Sequence, residues 1–203
     1  MQGTDTAAEP GMRDRKKART RDSIRSAALD LFEEQGYERT TVDQICRRAD
    51  VAHRTFFRYY PAKEALLFGW DFGHVVLDAF AAAPAELPLW AALEHALTVT
   101  GGRLEEPVEH TERRRRLRRG LLDVHSVHNY ALVVIDAFIE HAVTIAAERL
   151  GTDPGTDPDT DLRPTAFGAM FGGMVRRHIL IGQESGTLAD WVRAYRDVLA
   201  AAG

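Results

Sequence analysis

Residues 51–61 read "VAHRTFFRYYP", placing four aromatic rings, two arginines, a histidine and a threonine in eleven positions before a proline ends the run. A buried segment would shed the arginines and a solvated one would shed the rings. Wound as an α-helix, with about 100° between residues, Arg54 and Arg58 fall within about 40° of each other, flanked by Thr55 and Phe57. Phe56 and Tyr60 lie together on the opposite side, with Tyr59 near them. One face can therefore anchor the helix while the other presents cations, a hydroxyl and a ring. A guanidinium can reach O6 and N7 of guanine in a major groove, and a threonine or an aromatic edge can touch a thymine methyl. The plainer alternative is an aromatic staple with solvated arginines.

The residues upstream fit the same picture. Ile24, Ala27, Ala28, Leu31 and Phe32 repeat at the spacing of one buried helix face, and Gly36 offers a stop. Thr40 or Thr41 can cap a second short helix whose inward positions are Val42, Ile45, Cys46 and Ala49. With the turn "ADVA" between them, the two short helices have helix-turn-helix spacing, the second being the one that reads the groove. Between Met12 and Tyr60 there are 12 Lys/Arg against 8 Asp/Glu, although the whole chain of 203 residues carries a net charge of −4. The positive charge peaks in "RDRKKARTRDSIR" at 13–25, where Lys17 and Arg19 (with Lys16 and Arg21) are placed to hold phosphate in a sequence-blind, salt-dependent way. Apolar content of 45% with 28% charged residues is that of a globular chain with a sizeable core. A single cysteine, Cys46, excludes an intrachain disulfide and suits a reducing compartment. No signal peptide and no uncharged stretch of about 20 apolar residues is visible. The expectation is a cytoplasmic protein that does not insert in a membrane.

Downstream, the periodicity predicts longer helices at about 63–83, 87–101, 107–119, 122–150, 163–183 and 187–201, with no alternating strand pattern. The stretch "GTDPGTDPDTD" at 151–161 predicts a loop. "ERRRRLRRG" at 112–120 follows several glutamates and reads as a solvated helix with i, i+4 pairs. Apolar pockets between helices carry a few convergent polar groups; the candidate lining residues are Trp70, His74, Trp90, His125, Asn129, Phe138, Met170 and Arg177. His125 and His128 share a helix face, but a zinc site needs further ligands and packed or surface histidines fit as well. "FGAMFGGMVRRHILIG" at 167–182, with Phe167, Met170, Phe171 and Met174 beside Gly168, Gly172 and Gly173, permits close helix approach, either within the chain or between two copies.

The segment "AALDLFEEQGYERTTVDQICRRADVAHRTFFRYYPAKEALL" resembles the DNA-binding domain of the TetR (tetracycline-repressor-like) family. The resemblance rests on Gly36-Tyr37, Thr40-Thr41-Val42, the turn Ala49 to Val51, Thr55-Phe56-Phe57-Arg58-Tyr59-Tyr60, and Lys63-Glu64-x-Leu66. It covers about 50 residues and fades beyond about residue 70. It implies an all-α protein: an N-terminal three-helix helix-turn-helix domain, then a larger helical domain for ligand binding and dimerisation. The boundaries it suggests are a disordered tail at 1–14, the DNA-binding domain at 15–62 and the C-terminal domain at 63–203. It further implies a homodimeric repressor, without a cofactor or catalytic residues, that binds a palindromic DNA operator and is released by a small, largely apolar effector. The family's DNA contacts fall on Thr41, Arg54, Thr55, Phe57, Arg58 and Lys63. Phe57 stands where many relatives have tyrosine, Asp50 where the turn usually has glycine, and Ala52 where a serine often caps the recognition helix. Two other classes remain as rivals, a histidine-dependent metalloenzyme and an architectural DNA-binding protein without a ligand.

Overall fold

The structure, a computed structural model, describes residues 11–68, 70–101, 108–152, 161–181, 190 and 192–197; among these there are helices and turns but no strand. The chain divides into two compact units, Met1–Leu66 and Leu67–Gly203.

In the first unit, α1 (Met12–Gln35) buries Ile24, Ala27, Ala28, Leu31 and Phe32 as its spacing predicts, together with Leu29. The helix begins at Met12, so residues 12–14 are not part of a disordered tail; residues 1–10 of that predicted tail lie outside the described residues. Gly36, at φ 87°, ends α1 in a conformation that side chains other than glycine resist, and its N–H reaches the Phe32 carbonyl at 3.1 Å. Of the two threonines, Thr41 caps α2 (Val42–Arg48). Its Oγ1 accepts from the Gln44 N–H at 3.3 Å, and Gln44 Oε1 accepts from the Thr41 N–H at 2.8 Å, a reciprocal capping box. Thr40 is buried instead and donates to the Gly36 carbonyl at 2.8 Å. Asp50 supplies the turn, the one non-glycine residue with positive φ (52°) among the described residues. Then comes α3 (His53–Tyr59), entered from Ala52 without a side-chain cap.

The predicted helix at 63–83 is two elements. A 3-10 turn spans Lys63–Leu67, and α4 (Trp70–Ala81) follows after a break. Ala65, Leu66, Leu67 and Phe68 are all buried, and four consecutive inward residues cannot share one face of an α-helix. Lys63 and Glu64 also bond backward. Lys63 Nζ donates to the carbonyls of Tyr37 and Thr40, both at 2.9 Å, and sits 4.0 Å from the centre of the Tyr37 ring. The Tyr37 hydroxyl donates to Glu64 at 2.7 Å. These bonds carry the first unit to Leu66, beyond the Ala62 boundary read from the sequence.

In the second unit, α4, α5 (Leu89–Thr100), α7 (His125–Leu150) and α8 (Arg163–Arg176) build the core, with α6 (Val108–Leu121) and a π-helical turn at Arg177–Ile181. Residues 192–197 are helical. The rest of the predicted 187–201 helix, and residues 153–160 of the predicted loop, lie outside the described residues. By length and composition α7 could cross a bilayer, yet it buries nine residues, among them Val127, Val134, Ile135, Phe138 and Ile145, as a core helix does. Gly168 and Gly172 let α8 approach α7 closely: a Cβ on Gly168 would lie 2.2 Å from Val143 Cγ2, and one on Gly172 2.5 Å from Ile139 Cδ1. Phe167, Phe171 and Met174 turn inward within the chain. Phe80, Trp90 and Phe171 surround Phe167 at ring separations of 5.4, 4.7 and 6.1 Å. Arg149, near the end of α7, donates to the carbonyls of Phe80, Ala83, Pro84 and Leu87 at 2.7–3.3 Å, satisfying the end of α4 and the loop after it.

The solvated reading of "ERRRRLRRG" is wrong for two of its arginines. Arg114 and Arg118 are only 6% and 7% exposed, on a buried stripe with Thr111, while Arg115, Arg116 and Arg119 face outward. Spacings of three and four put Thr111, Arg114 and Arg118 on one face, and that face packs inward despite its charge.

Two expectations follow. Gly168→Ala should lower stability to urea by about 1–3 kcal/mol through overpacking against Val143, whereas Gly173→Ala, whose Cβ meets nothing within 4 Å, should be neutral or better. Lys63→Met should cost about 1–2 kcal/mol, the range for charged hydrogen bonds discounted for partial exposure. It should leave the salt dependence of DNA binding intact; a phosphate-contacting lysine would instead reduce that slope by about 0.9.

Candidate nucleic-acid interface

A seven-residue helix is too short to persist alone, so α3 must be held by its neighbours. Phe56 is fully buried and Tyr60, 5% exposed, closes the same side at a ring separation of 5.9 Å. The Tyr60 hydroxyl donates to the Arg21 carbonyl at 3.2 Å, tying the end of α3 to α1. At its start, His53 Nε2 pairs with Asp43 of α2. Helix α2 is fixed in turn to α1: Arg48 makes a two-pronged pair with Glu34 at 2.6 and 2.9 Å, and Gln35 Nε2 donates to Gln44 Oε1 at 3.0 Å. Cys46 is buried under α2, and burial, then Asp43, pushes its thiol pKa up, so it stays protonated and unreactive.

With Phe56 inward, the helical repeat sends His53, Arg54, Phe57 and Arg58 outward, all exposed, with Thr55 half-buried beside them. Phe57 is 53% exposed and meets Phe56 edge-on at 5.2 Å. Tyr59, half-buried, is a platform for two cations, with the Arg58 guanidinium 5.0 Å and that of Arg21 5.7 Å from its ring centre. Lys17 and Arg19 are exposed along the first turns of α1. Thr41 is exposed at the start of α2, with its hydroxyl engaged in the capping box.

All eight residues expected to meet DNA are exposed or half-buried on the first unit. Lys63 directs two of its three ammonium N–H groups at the Tyr37 and Thr40 carbonyls, and burial holds its pKa below the ordinary lysine value. Sequence reasoning did not single out His53 or Tyr59. The signal for Tyr59 was its place beside Arg58; the Asp43–His53 pair spans two helices and has no local signature. A shallow depression of about 490 Å³ lies between the helices, lined by Asp43, Cys46, Arg47, Asp50, Val51, Ala52 and His53.

Among the described residues, those expected to line an effector pocket fall at several places. Trp90 joins the Phe167 cluster, and His74 lies 5.8 Å from Phe138 and 6.3 Å from His141. His125 and Asn129 are exposed and bond each other at 2.9 Å, Met170 is half-buried, and Arg177 is exposed. Trp70 is in α4, but its side chain lies outside the described residues.

The model for the family "Bacterial regulatory proteins, tetR family" matches residues 24–69. The HTH-type transcriptional regulator TcmR of Streptomyces glaucescens is 54% identical over 55 residues, 27% of this chain. MftR of Mycobacterium tuberculosis, named as a mycofactocin biosynthesis transcriptional regulator, is 29% identical over 142 residues, 68% of this chain. These matches span 24% of TcmR and 69% of MftR. The fold is also that of a TetR-family regulator from Syntrophomonas wolfei, with a TM-score of 0.53 and 16% identity over 93% of this chain and 96% of that one. It is thus the segment at residues 24–69 that is similar to the tetR family of bacterial regulatory proteins.

Proposed function

We propose that the protein is a one-component transcriptional repressor of the cytoplasm. It binds a palindromic operator as a homodimer and leaves it when a small, largely apolar effector enters the second unit. The observation that carries the DNA-reading half is the outward face of α3. Two guanidiniums, a threonine and a half-exposed phenylalanine stand on a helix whose other side is buried on α1 and α2. A solvated surface has no use for Phe57 at 53% exposure, whereas a thymine methyl does. Lys17, Arg19 and Thr41 supply backbone contacts that position the helix without reading bases.

The general geometry of helix-turn-helix recognition supports the operator and the dimer. One helix reads only a few base pairs, and two copies related by a twofold axis read an inverted repeat with centres about 34–36 Å apart. For release, the effector must favour a state in which the two recognition helices no longer match both half-sites. A reversal from 99:1 to 1:99 needs a differential affinity of about 5.5 kcal/mol. The metalloenzyme rival has no support in the histidines of α7: His125 is engaged with Asn129, and among the described residues no three His, Cys, Asp or Glu side chains converge.

Selection from a random DNA pool, followed by mobility-shift titration, tests the proposal. It should yield an inverted repeat. Arg54→Ala and Arg58→Ala should each weaken binding at least about 10-fold, the loss of a bidentate base contact worth about 1–3 kcal/mol, while the circular dichroism melt stays that of the parent. Unchanged affinity in both variants would remove α3 as the reading element.

A further inference from the structure

Helix α6 carries an unusual buried charge. Arg118 is 93% buried, at 7% exposure, and its Nε has no hydrogen-bond partner. Its guanidinium lies 5.7 Å from the centre of the Phe68 ring, and Phe68 in turn meets Tyr130 of α7 at 5.5 Å. His178, on the π-helical turn after α8, likewise has a buried Nδ1 without a partner. The charges acting on both groups, among the described residues, are all positive. Burial, then Arg114, Arg115 and Arg119, brings the Arg118 pKa down to about 10, and burial, then Arg118 and Arg115, brings that of His178 down to about 4. At neutral pH this leaves a buried cation and, within reach of its charge, a neutral imidazole able to offer Nδ1–H. A buried charge is costly unless an opposite charge and hydrogen bonds compensate it. Among the described residues, no anion compensates these groups.

We propose that Arg118 and His178 form the seat for the carboxylate of an organic-acid effector, with the Phe68 and Tyr130 rings against its apolar body. This rests on the reading of the protein as an effector-released regulator and names the chemistry of its effector. The guanidinium binds the carboxylate through parallel N–H donors and the imidazole supplies one more. An uncharged ligand of the same shape leaves those donors buried and unpaired, so the site discriminates by charge. Phe68 directly follows the turn that ends at Leu67, so in the sequence the seat begins where the DNA-binding unit stops.

The probe is sodium 1-naphthoate against its neutral isostere 1-naphthamide, with sodium acetate and inorganic phosphate as charge-only arms, on the full chain at constant ionic strength. Naphthoate should raise the melting temperature by about 3 °C or more, naphthamide should not, and acetate and phosphate should give smaller shifts. Arg118→Met should melt at or above the parent temperature without anion, because an uncompensated buried charge is gone, and should lose the naphthoate shift; His178→Gln should weaken the shift. Equal shifts from acid and amide, a shift that survives Arg118→Met, or a variant melting several degrees below the parent would overturn the seat; the last would mean that the guanidinium is held by the protein itself. Mobility shift with selected DNA separates this from the wider reading. If naphthoate stabilises the parent but leaves its DNA affinity unchanged, the seat stands and its effector role is refuted. A parent that gains the shift but binds no selected DNA supports the seat and refutes the regulator.

Discussion

Phe56 is the constraint from which the outward face of α3 follows. Its ring is fully buried, and truncating a buried phenylalanine typically costs about 3–5 kcal/mol. That is enough to decide the rotation of a helix with two turns and no cap. Once Phe56 and Tyr60 point inward, the 100° repeat leaves no freedom: Arg54, Phe57 and Arg58 must point outward. The two local penalties, positive φ at Asp50 and a missing cap at Ala52, are offset by contacts that are not local. The Asp43–His53 pair joins α2 to α3, and the Tyr60 hydroxyl reaches α1. In the proposed function, affinity for a duplex thus depends on a small aromatic core buried behind the outward face.

Much of the first unit was legible in the sequence because its determinants are local. The α1 face repeats at helical spacing, Gly36 is the residue that tolerates φ 87°, and Thr41 and Gln44 stand at the spacing of a capping box. What escaped is what depends on distance. Nothing local to Lys63 announces that the chain folds back so that two carbonyls 23 and 26 residues earlier accept hydrogen bonds from its ammonium. The break after Leu67 escaped for a similar reason: a run of apolar residues is compatible with one long helix until burial shows that consecutive side chains all face inward.

The second unit was legible in outline and misread in its polar detail. Helix positions followed the periodicity, and the glycines of α8 do mark a close approach, made to Val143 and Ile139 of the same chain. Arg149 and Arg118 were invisible for opposite reasons. Arg149 serves carbonyls 62–69 residues away, which no local pattern announces. Arg118 stands in so basic a run that solvation was the natural inference, yet it is buried. The expected pocket residues whose side chains are described occupy both core and surface positions, since a histidine or tryptophan suits either place.

The central claim, that α3 meets base edges with its arginine face, is tested most directly by following the arginine Nε–H resonances of the labelled protein during titration with selected operator DNA. The account predicts that Arg54 and Arg58 shift strongly and stay shifted as salt rises, while the signals of Arg13, Arg15 and Arg19 at the start of α1 return toward their free positions. If the Arg54 and Arg58 resonances hold still and only those of α1 move, the protein grips phosphate without reading sequence through α3, and the account is contradicted.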